Sequence, residues 1–314
     1  MKKISIVSSA FNEQENVAPL YEAVRKEMAK WADKYDYEQI ILDNGSTDNT
    51  LAELRRLAAQ DKHLKVIANA RNFGHIRSPY YGILQAYGDA VVYLASDLQD
   101  PPELISQFIT EWERGFKVVL GQKQQSYESK LFFGVRKIYY WLLNLLNDSG
   151  TDLVPNCTGF GLYDKCVVDE LRRLADPYPY LRGLVCEFGY ARTLVPFVQP
   201  PRKSGITKNN FYTLYDNAMI GFTNYSKVPL RLAALSGFVL GVVSFTVACI
   251  YLILKLCFWD KFPMGTAPIL LAVLFFASVQ LVFLGVLGEY IGAILTQVLK
   301  RPLVVEKERI NFEK

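Results

Sequence analysis

Residues 232–254 and residues 267–288 contain no charged side chain. Nothing else in the chain limits its fold so strongly. Each run exceeds the roughly 20 residues that a helix needs to cross a bilayer. A soluble core helix of that length would normally carry a polar stripe. The chain is 51% hydrophobic, and the excess lies after residue 230. The pattern predicts two transmembrane helices, with a buried helical hairpin as the alternative. Lys227 and Arg231 precede the first run, and Lys300, Arg301, Lys307 and Arg309 follow the second. The positive-inside rule then places both flanks, and the large N-terminal part, in the cytoplasm. The expected layout is a domain over 1–208, an interfacial helix over 209–230, a membrane hairpin over 231–299 and a cytoplasmic tail over 300–314. Phe211, Leu214, Tyr215, Ala218, Met219 and Phe222 give the interfacial helix its apolar face.

The N-terminus, MKKISIVSSAF, is a poor signal peptide, because the polar NEQEN follows its short apolar run at once. Cysteines stand at 157, 166, 186, 249 and 257, with no C-x-x-C pair. That fits a reduced compartment and argues against a disulfide framework or a zinc site. The net charge of +4 is too small and too local to indicate nucleic acid as a partner.

Upstream of the apolar runs, strands alternate with helices. KISIVSS, YEQIILD, KVIANA, DAVVYLA and KVVLGQK read as strands. The stretch from Asn12 to Trp31 reads as an amphipathic helix through Val17, Leu20, Tyr21, Val24, Met28 and Trp31. STDNTLAELRRLAAQ reads as a second helix, with Ser46 or Asp48 as its cap. Asp100, before Pro101-Pro102-Glu103, is expected to cap a third. This order predicts an α/β domain with a mostly parallel, Rossmann-like sheet. Ligands of such sheets bind at the carboxyl ends of the strands. Four polar clusters fall there: Phe11-Asn12-Glu13, Asp43-Asn44-Gly45-Ser46, Arg71-Asn72-Phe73-Gly74 and Asp97-Leu98-Gln99. Neither G-x-G-x-x-G after the first strand nor a G-K-[ST] loop is present, which weakens dinucleotide and nucleoside-triphosphatase readings. Carboxylate and amide oxygens suit Mg²⁺ or Mn²⁺, which can neutralise a diphosphate.

The pieces FNEQEN, ILDNGSTDNT, RNFGH, DLQDPPE, RGLV, GITKNNF and KVPLRL, in this order and followed by two apolar spans, resemble glycosyltransferase family 2. Within it the chain looks like the polyprenyl-phosphate glycosyltransferases. The resemblance covers roughly residues 3–301. It implies a GT-A fold, a nucleotide-sugar donor (a UDP-sugar before others), a divalent cation, inversion at the anomeric carbon and a homo-oligomer, with a tetramer plausible. It also implies roles. Phe11 and Glu13 would line the nucleoside pocket, with Asp43 and Asn44 beside base and ribose. Asp97 and Gln99 would face metal and diphosphate. The sequence departs from the family in several places: Asn44 replaces an acid, Ala95 replaces the first acid of Asp-x-Asp, Phe11 replaces a Tyr and so lacks its hydroxyl, and Lys123 replaces an Arg.

The implied acceptor is a polyprenyl phosphate, undecaprenyl or dolichyl. A phosphate monoester has a second pKa near 6, so at neutral pH it is largely a dianion and needs no general base. Cations must hold it beside the diphosphate. Lys123, Arg136, Arg202 and Lys208 are the candidates, the last three also readable as ordinary juxtamembrane charges attracted to membrane lipids. Transfer to another lipid acceptor, and a non-catalytic membrane-anchored relative that binds nucleotide-sugar, are the readings that the sequence leaves beside this one.

Overall fold

The structure is a computed structural model that describes residues 1–125, 154–200, 219, 223, 226–257 and 266–312. Most of the expected interfacial helix, and three of the four candidate cations, Arg136, Arg202 and Lys208, lie outside the described residues.

The first half alternates as read: β1 (Lys2–Ala10), α1 (Val17–Ala29), β2 (Tyr35–Asp43), α2 (Thr50–Gln60), β3 (Leu64–Asn69), α3 (Gly74–Gln85) and β4 (Ala90–Tyr93). A short 3-10 turn then leads into α4 (Ile105–Glu113) and β5 (Val118–Gln125). Next come β6 (Cys157–Asp164), α5 (Lys165–Leu174), α6 (Leu181–Glu187) and β7 (Arg192–Val198). Two long helices, α7 (Val228–Cys257) and α8 (Thr266–Leu299), precede a last strand, β8 (Glu306–Ile310).

All strands join one sheet in the order β7-β5-β6-β4-β1-β2-β3-β8. The central β4-β1-β2-β3 block is parallel, as is the β5-β7 pair. β6 runs antiparallel to both β4 and β5, and β8 runs antiparallel to β3. The sheet is thus mixed, as an antiparallel element beside a parallel block allows.

Side chains alternate across the sheet with the two-residue period of a strand. On β1, Ile4 and Ile6 face a core built with Leu20, Val24, Leu54 and Phe108 from α1, α2 and α4. Val7 faces the opposite core, with Tyr80, Ile83, Tyr163 and Val168. All eleven are at most 1% exposed. Helices therefore cover both faces, and only the sheet's ends are left for a ligand.

Helix α3 was not legible, because Pro79 and Gly82 interrupt its pattern. Its closeness to the sheet explains the glycine. A Cβ on Gly82 would lie 2.3 Å from Leu42 Cδ1 and 2.7 Å from Val7 Cγ1.

Within the segment 300–314, expected as a cytoplasmic tail, residues 306–310 form a strand of the domain's sheet. β8 pairs Val66↔Ile310 and Ile67↔Arg309 along β3. An unpaired edge at β3 would be a liability, and covering it removes that. Tyr81 donates to Glu306 Oε1 at 2.7 Å. Asn311 Nδ2 donates to the carbonyls of Ala58 (2.7 Å), Leu64 (2.8 Å) and Asp61 (3.2 Å).

Helices α7 and α8 contain the stretches Val228–Tyr251 and Ala272–Leu299, of mean hydropathy 2.2 and 2.0, long and apolar enough to cross a membrane. None of either is buried in the protein, whereas the helices of a core hairpin would be. Tyr290 on α8 donates to the Ser226 carbonyl just before α7, at 2.7 Å. Near its C-terminus, Gln297 donates to Asp176 of the α5–α6 connection at 2.9 Å. The approach to α7 is therefore tied to α8, and the far end of α8 meets the domain.

Candidate active site

Parallel register brings the strand ends together. Ala10 pairs with Asp43, and Asp43 with Ala68. The residues that follow each strand form one polar edge. After β1 the chain turns through Asn12, at φ 57°, a left-handed conformation that Asn tolerates better than most residues. Its side chain is fixed against the β2 loop. Asn12 Oδ1 accepts from Thr47 N at 2.8 Å, while Asn12 N donates to Ser46 Oγ at 3.0 Å. Glu13 N donates to Thr50 Oγ1 at 2.9 Å, and the Glu13 carboxylate accepts from Asn16 Nδ2 at 2.5 Å. Phe11 and Glu13 are half-buried along this seam.

Asp43 is 1% exposed. Burial raises its pKa, an effect only partly offset by hydrogen bonds from Ser46 and Gly45. Its two oxygens accept from Ser46 N at 3.3 and 3.4 Å. Gly45 is obligatory: its φ is +72°, and a Cβ there would lie 2.5 Å from the Arg71 carbonyl carbon. Of Ser46 and Asp48, the two candidate caps for α2, it is Asp48 that receives Thr50 N, at 2.9 Å.

Asn44 has a different role from the one expected. It is 4% exposed, and its amide is fully engaged. Nδ2 donates to Asn72 Oδ1 (3.0 Å) and to the Gly74 carbonyl (3.1 Å). Oδ1 accepts from Asn69 Nδ2 (3.1 Å) and Phe73 N (2.9 Å). Four bonds use the full capacity of an amide. Asn44 ties the β2 end to the β3–α3 loop and has nothing left for a base or ribose.

The loop after β4 has the opposite character. Asp97 and Gln99 are only partly buried. One Asp97 oxygen accepts from Gln99 N at 3.2 Å. Between them Leu98 has φ 58°, a conformation that costs a branched side chain roughly 1–2 kcal/mol. Such strain concentrates at functional sites. Ser96 Oγ is sealed from solvent and has no hydrogen-bond partner.

Asp100 does not cap the next helix. The residue before the 3-10 turn is Pro101, with no side-chain cap. Asp100 instead turns back, and its Oδ2 accepts from Ala95 N at 3.0 Å. It is 5% exposed, and burial pushes its pKa up to about 6, with Lys123 pulling down and Asp97 pushing up. Lys123 is thus close enough to act on this loop. The carboxylate of Asp100 lies against the backbone of the position where the family's first metal acid is replaced by Ala95.

Oxygen donors are what Mg²⁺ or Mn²⁺ requires, and Asp97 and Gln99 supply them. Among the described residues, no group of three His, Cys, Asp or Glu side chains could hold a metal. The donor set fits a hard cation that keeps its waters and takes its remaining ligands from a substrate's phosphates. It does not form a closed protein cage.

A profile for glycosyl transferase family 2 matches residues 5–171. An uncharacterized glycosyltransferase, YkcC, of Bacillus subtilis is 34% identical over 98% of this chain and 94% of its own length. The SfII prophage-derived bactoprenol glucosyl transferase of Shigella flexneri is 32% identical over 98% of each chain. The chain belongs to glycosyltransferase family 2. Among solved structures, glucosyl-3-phosphoglycerate synthase from Mycobacterium tuberculosis in complex with UDP covers 69% of this chain and 76% of its own, with 19% identity and a TM-score of 0.47.

One residue of this glycosyltransferase was missed in the sequence. Burial raises the Tyr93 pKa, Asp100 and Asp97 raise it further, and Arg182 lowers it. The start of α6 lies near Tyr93, since Leu181 Cδ2 and Tyr93 Cδ1 lie 3.5 and 3.9 Å from where a Gly159 Cβ would be, and Arg182 is the second residue of that helix. It stands in the RGLV stretch, which carried the family resemblance but no role. No spacing links residue 182 to residue 97; only the sheet order, which inserts β6 between β4 and β5, brings α6 to this edge.

Proposed function

We propose that this glycosyltransferase moves a sugar from a nucleotide-sugar, a UDP-sugar first, to the phosphate of a polyprenyl lipid at the cytoplasmic face of the cell membrane. The observation that carries the reading is the attachment of two membrane-length helices beside the domain, in a chain 32% identical, end to end, to a bactoprenol glucosyl transferase. A lipid-bound acceptor has to be met at the membrane surface, and this architecture holds the domain there.

In the proposed reaction an acceptor phosphate oxygen bonds to the anomeric carbon. The bond from that carbon to the nucleoside diphosphate breaks with inversion, and the diphosphate leaves with the electron pair. The acceptor is already a dianion, so no base is required of the protein. Its work is to hold two anions together and to stabilise the leaving group. Phe11, Glu13 and Asp43 would take the nucleoside at the ends of β1 and β2. Asp97 and Gln99 would hold a divalent cation, which when bound supplies positive charge to the diphosphate. Lys123 and Arg182 add fixed charge beside that loop, and Arg136, Arg202 and Lys208 remain the candidates for the acceptor phosphate.

The test uses full-length protein in detergent with Mg²⁺ or Mn²⁺, undecaprenyl phosphate and a panel of labelled UDP- and GDP-sugars. Label from one donor should enter the organic phase and be lost with Asp97→Ala. Saturable donor binding with no lipid product from any donor would reject the polyprenyl-phosphate acceptor.

A further inference from the structure

A cavity of about 430 Å³ lies away from the Asp97 loop, on the β3–β8 side of the sheet. It is lined by Ala70, Arg71, Phe73, Arg77, Arg301, Pro302 and Val305. Its volume is within the range of small-ligand sites. Three of the lining residues are arginines and none is acidic. Sheet order places β4 and β3 three strands apart, or roughly 14 Å at the usual strand spacing, so the cavity is distinct from the β4 edge.

The three guanidinium groups are held in different ways. Arg71 lies over the Phe73 ring, 4.0 Å from its centroid, and donates to the Asn72 carbonyl at 2.9 Å. Arg77, on the first turn of α3, lies 5.2 Å from the Tyr178 ring centroid. Its Nε is sealed from solvent and has no hydrogen-bond partner. Arg301 is exposed and follows α8 by two residues. The walls are fixed to each other, since Ala70 N donates to the Val305 carbonyl at 2.8 Å. The N-terminus of α3 adds its positive end to the same field. A cavity with this much convergent positive charge and an unsatisfied guanidinium N–H is suited to a phosphate.

Its position says where that phosphate comes from. Ile294, Leu295 and Val298, on the last turns of α8, are 56–69% exposed, as lipid-facing side chains would be. Gln297 holds this end of α8 to Asp176, two residues from the Tyr178 that carries Arg77. The cavity thus opens where an apolar span ends, at headgroup level. We propose that it binds the phosphate of an anionic phospholipid headgroup and so fixes the domain's β3–β8 edge to the membrane surface. The cavity adjoins the β2 end through Arg71, which stands against Gly45, but the phosphate proposed for it belongs to neither donor nor acceptor of the transfer.

The test measures thermal unfolding of full-length protein in a neutral detergent, with no donor or acceptor added, so that failure of the transfer assay cannot decide it. Phosphatidylglycerol should raise Tm by about 3–5 °C at saturation, and phosphatidylcholine should not. Arg77→Gln with Arg301→Gln should remove most of the shift. Lys227→Gln, a juxtamembrane charge at the approach to α7, should retain it. If the double variant does not fold, the exposed Arg301→Gln alone should still reduce the shift. The same shift in wild type and Arg301→Gln, or equal loss in Lys227→Gln, would overturn the pocket in favour of general surface attraction. A shift from inorganic phosphate without one from phosphatidylglycerol would overturn the lipid source, and no shift from either would overturn the site.

Discussion

The loop after β2 and the loop after β4 both place polar side chains at the ends of parallel strands, yet these groups are used differently. In the first, Asn44 is buried and makes four hydrogen bonds within the protein. In the second, Asp97 and Gln99 are partly exposed, Leu98 is held at φ 58°, and Ser96 Oγ has no partner. A buried polar group that is fully paired is a structural part, whereas strain and unspent donors or acceptors leave a loop able to receive a ligand. Both carry polar residues at a strand end; hydrogen-bond accounting separates them.

The largest effect that would break this comparison is on activity. Asp97→Ala should lower kcat/KM for sugar transfer by about 10³-fold, or about 4 kcal/mol, if the β4 loop serves the departing diphosphate. Its Tm should stay within about 2 °C of wild type, because the carboxylate is partly exposed and donates little to the fold. Steady-state kinetics and a melting curve check both halves; loss of stability in place of loss of rate would make the two loops alike.

Asn44→Ala should show the reverse. It leaves Phe73 N, and one of the two Asn69 Nδ2 hydrogens (the other bonds Ser78 Oγ), without an acceptor, and frees the β3–α3 loop. Unsatisfied buried groups cost about 1–3 kcal/mol each, so a total loss of about 2–4 kcal/mol in chemical denaturation is expected. The donor KM should rise by less than Asp97→Ala lowers the rate. A stable Asn44→Ala that cannot bind nucleotide-sugar would return Asn44 to the pocket.

What the sequence made legible follows from what each signal depends on. The two spans and the strands from β1 to β5 announce themselves through local composition and period, and these the structure bears out. Helix α3 stays hidden because Pro79 and Gly82 are poor helix formers, and contact with Leu42 and Val7 decides in favour of Gly82. Strand β8 stays hidden because EKERI alternates charge without a strong apolar face, and its stability comes from pairing with β3. At the site, polar strand ends are visible as clusters. Their partners are not: that Asp100 bonds back to Ala95 and that the Asn44 amide is taken up by Asn69, Asn72, Phe73 and Gly74 are contacts between segments distant in the chain or hidden by turn geometry.

Asp100 sharpens the comparison within the β4 loop. Burial raises its pKa to about 6 from 3.8. The folded state therefore binds this proton more tightly than the unfolded one. The associated stability is complete below about pH 4 and disappears as pH rises through about 6. Asp100→Asn keeps an oxygen for Ala95 N and removes the charge. At pH 7.5 it should be as stable as wild type or more so, by about 1–3 kcal/mol. Denaturation midpoints across pH 4–7 should be flatter for the variant. An unchanged slope would mean that the carboxylate is ionised and satisfied, and that the β4 loop holds no stored cost.

Asp164 gives the opposite sign and the smallest effect. It ends β6, on the same sheet, and it too is buried. Burial alone would raise its pKa, but Trp112 Nε1 at 2.7 Å, Lys117 Nζ at 2.9 Å and Cys166 N at 3.0 Å all donate to it. Together they hold it at about 2. A depressed pKa contributes stability above about pH 4 that is lost as pH falls through about 2. Asp164→Asn retains an acceptor for the indole or the amide but loses the charge that faces Lys117. Lys117 is 43% exposed, and solvent screens the pair, so the expected loss at pH 7 is only about 1 kcal/mol. That loss should shrink as the medium is acidified toward pH 2, while the Asp100→Asn difference shrinks over pH 4–6. Opposite pH signatures from two buried aspartates in one sheet would show that burial does not set their charge. The number of donors turned toward each carboxylate does, and the one left short of donors stands in the loop proposed to meet the diphosphate.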